Sequence, residues 1–398
     1  MIASMESRTF IIRRRRLRGP AYALLAAVLA AAAASCGSSG GSALSETTAR
    51  RPAAGQAERA RDICAKALIA DSHIDYLEVR KEGEDLVSGS SGNFDASRAA
   101  RGGLKVAFMP VYISAEDDGA GRAAAVAEAR FAALQADIAR HPDRLALAGT
   151  PGEARTAVKS GRLALVPALE NCASLEGELS RIGSWRERGV AYMGLVHIKD
   201  NALCDSSNDA GRRWGGLSPL GRAAVAEMNR LGVMVDVSHA SDEAIARILE
   251  VSTAPVIASH SGCRAFTPGF PRNLPDELIV RIAKRGGVIQ IAFGSLFLSP
   301  AYERTMSDAD LASAKDIALQ IDHVARLAGV EHVGLGSDFD GVGYSLPREV
   351  PDASAYPVVV RELLALGYKE SDIGLILGGN IMRVWEEVID KGKAMRGE

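Results

Sequence analysis

ALIADSHID, residues 67–75, runs from four apolar residues into a largely polar end that carries two acids and a histidine. Four apolar residues without alternation suit a strand buried on both faces, and the polar end suits the point where a chain leaves a sheet. The same pattern predicts seven more strands: residues 104–112, 163–170, 190–197, 233–239, 255–260, 288–293 and 332–338. Helical spacing precedes the first strand over residues 57–67 and returns between the later ones. Thr150-Pro151-Gly152-Glu153 predicts a capping box with proline in the first turn, and Ser218-Pro219 opens a predicted helix ending at Leu231. Gly232, Gly286-Gly287 and Gly329 stand where predicted helices stop, the usual C-terminal role of glycine. Strands and helices alternating eight times predict an α/β fold, a (β/α)8 TIM barrel, with a doubly wound open sheet as the competing arrangement.

At 398 residues, 47% hydrophobic and 24% charged, the chain has the make-up of a packed globular protein, which excludes a disordered or fibrous one. Barrels of this type run from about 200 to over 400 residues as one domain, so a single core is expected over residues 56–398. Residues 1–35 hold six arginines and one acid, Glu6, which leaves 41 bases against 48 acids and a net charge of −7 in the remainder. A mildly acidic body without a basic block argues against a nucleic-acid partner, so a small ligand is expected.

Arg13 to Arg16 and Arg18 precede an apolar run of 14 residues, Ala21 to Ala34, closed by Ser35-Cys36. That run is shorter than the roughly 20 residues a spanning helix needs, and with its basic flank it predicts a signal peptide over residues 1–35. Ala33-Ala34-Ser35-Cys36 resembles the bacterial lipobox, with alanine where leucine is usual at position 33. Lipidation of Cys36 is therefore expected, against plain cleavage and release. Gly37 to Ser42 begins a flexible tether over residues 36–55. The expected location is the bacterial periplasm or cell envelope, with the membrane reached only through this anchor. Cys64, Cys172, Cys204 and Cys263 show no CxxC spacing, so a thiolate zinc site is not expected; disulfides and buried free thiols both remain open.

Chemistry gathers at the predicted strand ends. Four of the seven histidines, His73, His197, His239 and His260, end a predicted strand, as do Asp75, Glu170 and Asp338. In a barrel these ends converge on one face, where the βα loops build active sites. His73-Ile74-Asp75 places two donors on the same face of an extended strand, because strand periodicity is two, so this pair can grip one metal ion. Glu170, His239 and His260 add a carboxylate, whose two oxygens can bridge paired cations, and two imidazoles. Such a set suits Zn²⁺, with Mn²⁺, Fe²⁺ or Co²⁺ as substitutes. His141, in a polar turn, is read as solvated; His323, on a helix, and His332, at the opposite rim, are read as structural. Asp338 is read as catalytic and Asp340-Gly341 as a turn, while Arg272, in a long polar loop, would in isolation be a surface residue.

The ordered set His73-x-Asp75, Glu170, His197, Asp236-Val237-Ser238-His239, Ser259-His260-Ser261, Pro271-Arg272-Asn273 and Gly336-Ser337-Asp338-Phe339-Asp340-Gly341 resembles the membrane dipeptidase (renal dipeptidase) family of zinc metallopeptidases. Gly378-Gly379-Asn380 is similar too, and the resemblance spans roughly residues 60 to 390. It implies a metal-dependent hydrolase barrel with two Zn²⁺ per chain and hydrolysis of dipeptides, including those with a D-residue at the C-terminal position. By the same resemblance His73 and Asp75 bind one zinc, His239 and His260 the other, and Glu170 bridges them. His197 then contacts the scissile carbonyl or its oxyanion, Arg272 takes the substrate carboxylate and Asp338 handles protons. Asn171-Cys172 stands where the family often has glycines, and Tyr76-Leu77 where the mammalian form has Leu-Pro, which puts side-chain specificity in doubt. The expected partner is a small-molecule dipeptide, and a homodimer is the candidate assembly.

Paired divalent cations lower the pKa of a shared water to about 7 and polarise the carbonyl under attack. Asp338 suits the transfer of a proton from that water to the leaving amine, and a free α-carboxylate meeting Arg272 would measure peptide length. Two other classes compete: a binuclear amidohydrolase acting on lactams, lactones or phosphotriesters, and a lipoprotein that binds peptide or metal without turnover.

Overall fold

The structure, a computed structural model, describes residues 55–398. Expectations for the leader, for Cys36 and for nearly all of the tether lie outside the described residues. Among the described residues nine strands form one parallel sheet: β1 (Ile69–Asp71), β2 (Leu104–Tyr112), β3 (Leu145–Leu147), β4 (Leu163–Glu170), β5 (Tyr192–Gly194), β6 (Met234–Asp236), β7 (Val256–Ser261), β8 (Val288–Ile291) and β9 (Val333–Leu335). Hydrogen bonding runs β1-β2-β4-β5-β6-β7-β8-β9, with β3 attached to β4 off this path. The ring meets itself where Ser72 N donates to Leu335 O (3.0 Å), Asp338 N to His73 O (3.0 Å) and Asp75 N to Phe339 O (2.8 Å). This meeting of first and last strands excludes the open sheet. Strand β3, three residues reading LAL, is the one sequence reading missed; it pairs only with β4, off the path of the ring.

The main helices surround the sheet: α1 (Gln56–Lys66), α2 (Ala96–Gly102), α3 (Ala123–Arg140), α4 (Pro151–Lys159), α5 (Ser180–Glu187), α6 (Pro219–Leu231), α7 (Asp242–Val251), α8 (Asp276–Lys284), α9 (Ala314–Ala328), α10 (Tyr356–Ala365) and α11 (Asn380–Arg396). Local chemistry explains their ends. Ser218 caps α6 by accepting from Gly221 N, proline opens the helix, and Gly232 closes it at φ 71°, a conformation that carries no Cβ penalty in glycine. Thr150 caps α4 as expected, but the Glu153 carboxylate accepts from Gly149 N (2.7 Å), so the box closes one residue before the cap.

Inside the barrel, Ala70, Val106, Phe108, Val166, Tyr192, Met234, Ile257 and Val288 form a buried cluster with Ile381, Trp385 and Val388 of α11. That helix crosses the N-terminal ends of the strands: Gly232, just before β6, lies against Ile389, and Gly286, just before β8, faces Glu387. The lower mouth is thereby plugged with apolar side chains. Cys64, Cys172, Cys204 and Cys263 are free and buried. No helix among the described residues is long and apolar enough to cross a membrane.

Candidate active site

Glu170 and His260 lie within β4 and β7, whereas ladder hydrogen bonding stops short of the other functional residues. Strand β1 ends at Asp71, two residues before His73; β5 ends three before His197, β6 three before His239 and β9 three before Asp338. Asp75 is therefore no strand residue: it precedes a single helical turn, Tyr76–Val79, with φ −86° and ψ 27°. His73 and Asp75 still converge, with Nε2 to Oδ2 at 3.4 Å, but a turn aims them, not strand alternation. His239 and Asp338 sit at φ 67° and 61°, left-handed conformations that cost a non-glycine residue about 1–3 kcal/mol and persist only where surroundings impose them. Gly341 has its own reason for lacking a side chain, since a Cβ there would fall 2.2 Å from Asp338 Oδ1 and 2.3 Å from Asp75 Oδ2.

Glu170, the last residue of β4, lies at the centre. Its Oε1 faces His239 Nε2 at 3.1 Å, His260 Nε2 at 3.5 Å and His197 Nε2 at 3.8 Å, while its Oε2 faces His73 Nε2 at 3.5 Å. Three sets of donor atoms, each set lying within 4.8 Å, emerge: His73, Glu170 and His260; Glu170, His197 and His239; His73, Asp75 and Asp338. All seven residues predicted at the strand ends are thus brought together. His260 lies closer to His73, at 3.6 Å between ring centroids, than to His239, at 5.0 Å, so the two expected ligand pairs share one continuous cluster.

Electrostatics suits cations. Burial, followed by the neighbouring Asp75 carboxylate, pushes Asp338 well above the ordinary carboxylate range. Burial opposes a charge on His73, yet Tyr192, Asp75 and Glu170 beside it raise its pKa well above the usual value. Burial also works against Glu170, but His73 and the hydrogen bond from His239 hold it well below its usual value. Burial, then adjacent positive charge, keeps His239 and His260 neutral, with lone pairs to offer. The same atoms lack other partners: His73 Nε2 and Asp75 Oδ1 are buried without a hydrogen bond. His239 Nε2 and His260 Nε2 lie 2.9 Å apart and so face the same space beside Glu170. A buried set of carboxylate and imidazole donors, with bare atoms aimed at one another, fits divalent zinc, whose charge would displace the protons held on His73 and Asp338.

Arg272 is buried, contrary to its reading as a surface residue in isolation. Its Nη1 donates to Ser261 Oγ (2.9 Å), its Nη2 to His260 O (2.6 Å), and its guanidinium lies 5.2 Å from the Phe297 ring centroid. These partners are neutral, burial lowers its pKa to about 10, and Nε has no hydrogen-bond partner. His197 rests edge-on against Tyr112, with centroids 4.6 Å apart, and burial lowers its pKa.

The remaining histidines lie elsewhere. His141 is not simply solvated, since its Nε2 approaches Asp85 Oδ1 at 3.2 Å. His323 meets Asp276 at 2.8 Å, and His332 Nδ1 lies 2.7 Å from Gly287 O. Sequence reasoning missed Tyr192 as an outer partner of the cluster and gave Ser259 no role beyond its place in the Ser259-His260-Ser261 motif. Tyr192 OH contacts His73 Nδ1 at 2.8 Å, and Asn201 links Leu195 O (2.7 Å) to Asn171 Oδ1 (2.9 Å). Tyr192 looked like one more apolar strand residue, and nothing in its neighbours marks its hydroxyl.

Comparisons with known proteins point to one family. The model of the membrane dipeptidase family, peptidase family M19, matches residues 57–397. Dipeptidase verJ of Clonostachys rogersoniana is 34% identical over 312 residues, 76% of this chain and 77% of its own. Dipeptidase tcpJ of Claviceps purpurea is 32% identical over 314 residues, 77% of this chain and 72% of its own. Among solved structures, the probable dipeptidase PvdM from Pseudomonas aeruginosa is similar at a TM-score of 0.77 and 28% identity, over 84% of this chain and 99% of that one. With a matched model over nearly all described residues and a donor cluster at the barrel mouth, the chain belongs to the membrane dipeptidase family and is a metal-dependent dipeptide hydrolase.

Proposed function

We propose that the protein cleaves free dipeptides with two zinc ions, one held by His73 and Asp75, the other by His239 and His260, with Glu170 shared. The observation that carries this reading is the division of Glu170: one oxygen faces His73 and the other faces His239, His260 and His197. Bound zinc supplies an acidified water and a polarised carbonyl. The chain's own residues do the rest. Arg272 binds the substrate's α-carboxylate through donors its protein partners leave over, and no carboxylate hydrogen-bonds to it in competition. His197, kept neutral, donates a hydrogen bond to the oxygen that gains charge. Asp338, beside Asp75, accepts the proton of the attacking water and returns it to the leaving amine. That dipeptides ending in a D-residue are among the substrates rests on the family resemblance alone.

Dipeptide hydrolysis by metal-depleted and zinc-restored protein, with metal content measured alongside, tests the reading. Activity should follow zinc up to two ions per chain; full activity with fewer than one bound transition metal would overturn it. We also propose export to the bacterial periplasm or cell envelope with lipidated Cys36 as anchor, supported by the arginine-rich leader and the Ala-Ser-Cys ending. Metabolic labelling with a radioactive fatty acid should mark the wild type and not Cys36→Ala.

A further inference from the structure

Asp236 closes β6 two residues before Ser238 and three before His239. Its Oδ1 accepts the backbone N–H of Ser238 (3.0 Å) and of Ser259 on the next strand (2.8 Å), and its Oδ2 accepts Ser259 Oγ–H (2.6 Å). All three partners donate, so this side chain works as an acceptor-only carboxylate. A hydroxyl has one proton to give. With that proton committed to Asp236, Ser259 Oγ is left to accept from His260 Nδ1, 2.9 Å away. The proton of the His260 ring is thereby held on Nδ1, and its Nε2 lone pair faces Glu170 and His239. His197 Nδ1 and His239 Nδ1, by contrast, are buried without a partner.

A second carboxylate repeats this geometry without the imidazole. Asp71, at the end of β1, accepts from His73 N (3.1 Å) and Ser337 N (3.0 Å) on Oδ1 and from Tyr356 OH (2.6 Å) on Oδ2. Both aspartates bind their own strand end to that of a neighbouring strand. Only the hydroxyl bound by Asp236 goes on to touch ring nitrogens, His260 Nδ1 at 2.9 Å and, more distantly, His73 Nδ1 at 3.4 Å; the nearer partner of His73 Nδ1 is Tyr192 OH at 2.8 Å.

We propose that Asp236 and Ser259 are positioning residues that fix the tautomer and aim of His260 and so set the affinity of the zinc ion this histidine binds. The inference rests on the zinc reading above. Asp236→Asn keeps size and shape but turns one oxygen into a donor. Ser259 must then send its own proton to His260 Nδ1, which drives the ring proton to Nε2 and removes the ligand lone pair. Ser259→Ala deletes the link outright. Asp71→Asn is the matched control, because it weakens an equivalent strand staple, the backbone of His73 included, whose hydroxyl, that of Tyr356, touches no ring nitrogen.

Each variant is purified, its melting temperature recorded, stripped with a chelator and titrated with zinc against a chromophoric competitor; cobalt(II) reconstitution gives a visible absorption band that reports ligand geometry. Asp236→Asn and Ser259→Ala are expected to bind one ion roughly 10- to 100-fold more weakly, the usual effect of losing a ligand's outer partner, and to alter the cobalt band. Asp71→Asn is expected to melt earlier with zinc affinity and cobalt band kept. Unchanged affinity and band in Ser259→Ala, or equal loss of affinity in Asp71→Asn, would overturn the relay. Should Asp236→Asn fail to fold, Ser259→Ala carries the test. A wild type that takes up fewer than two ions would overturn the two-zinc reading instead, and the relay is then judged on the single ion's affinity.

Discussion

At the upper mouth of the barrel, Asp75, Glu170, Asp338 and four histidines crowd together, and His239 and Asp338 hold left-handed backbone conformations. At the lower mouth, Ile381, Trp385 and Val388 of α11 lie among alanine, valine and isoleucine of the strands. One end spends stability on like charges and strained backbone; the other supplies it by apolar burial. The two ends are joined through the interior by a column of rings: Trp385 on Phe108 (5.3 Å between centroids), Phe108 on Tyr192 (5.9 Å) and Tyr192 on His73 (6.4 Å). Such a division lets a catalytic cluster tolerate unfavourable electrostatics, because what holds the barrel together lies elsewhere.

The strongest test of the upper end is Glu170→Gln. Loss of the shared carboxylate should leave no detectable turnover and less than one zinc per chain by elemental analysis, in protein that still melts cooperatively. Two zinc ions retained with activity would show that the upper end does not depend on its central charge.

Asp338→Asn should lower kcat about 10²- to 10⁴-fold, the usual weight of a general acid or base, while both zinc ions stay. An amide can still hydrogen-bond but cannot carry the proton. Near wild-type kcat would make Asp338 a turn residue, with the proton moved by another group.

Trp385→Ala probes the lower end and should cost about 3–5 kcal/mol of stability, read from denaturant unfolding of the zinc-loaded protein. The folded fraction should keep its zinc and its kcat. A loss of zinc in step with stability would mean that the aromatic column couples the two ends.

The smallest effect concerns the rim. Arg272→Ala removes a charge-assisted pair worth about 1.5–3 kcal/mol, so kcat/KM for a free dipeptide should fall roughly 10- to 150-fold. The same substitution should shrink the preference for a free dipeptide over its C-terminal amide, and lysine should restore it only partly because it lacks the planar fork. Equal cleavage of acid and amide by the wild type would remove Arg272 from substrate binding and favour a broader amidohydrolase.

Eight buried strands, their polar ends and the order of His73, Asp75, Glu170, His197, His239, His260 and Asp338 are written in the chain, because burial on both faces and a parallel barrel's convergent loops leave a one-dimensional trace. What the strands leave unsaid comes from contacts between residues far apart. Arg272 is polar and sits in a loop, so local pattern places it at the surface; its burial against Phe297 and His260 O exists only once β7 and the segment after β8 meet. Asp75 looks like a strand residue until Asp75 N finds Phe339 O and a helical turn begins behind it. Ser259 and Tyr192 read as ordinary strand residues, and what each hydroxyl binds, Asp236 with His260 or His73, depends on which strands become neighbours. Periodicity records which face of an element is buried, whereas a hydrogen bond between strands 20 to 120 residues apart is a property of closure, and closure is a three-dimensional fact.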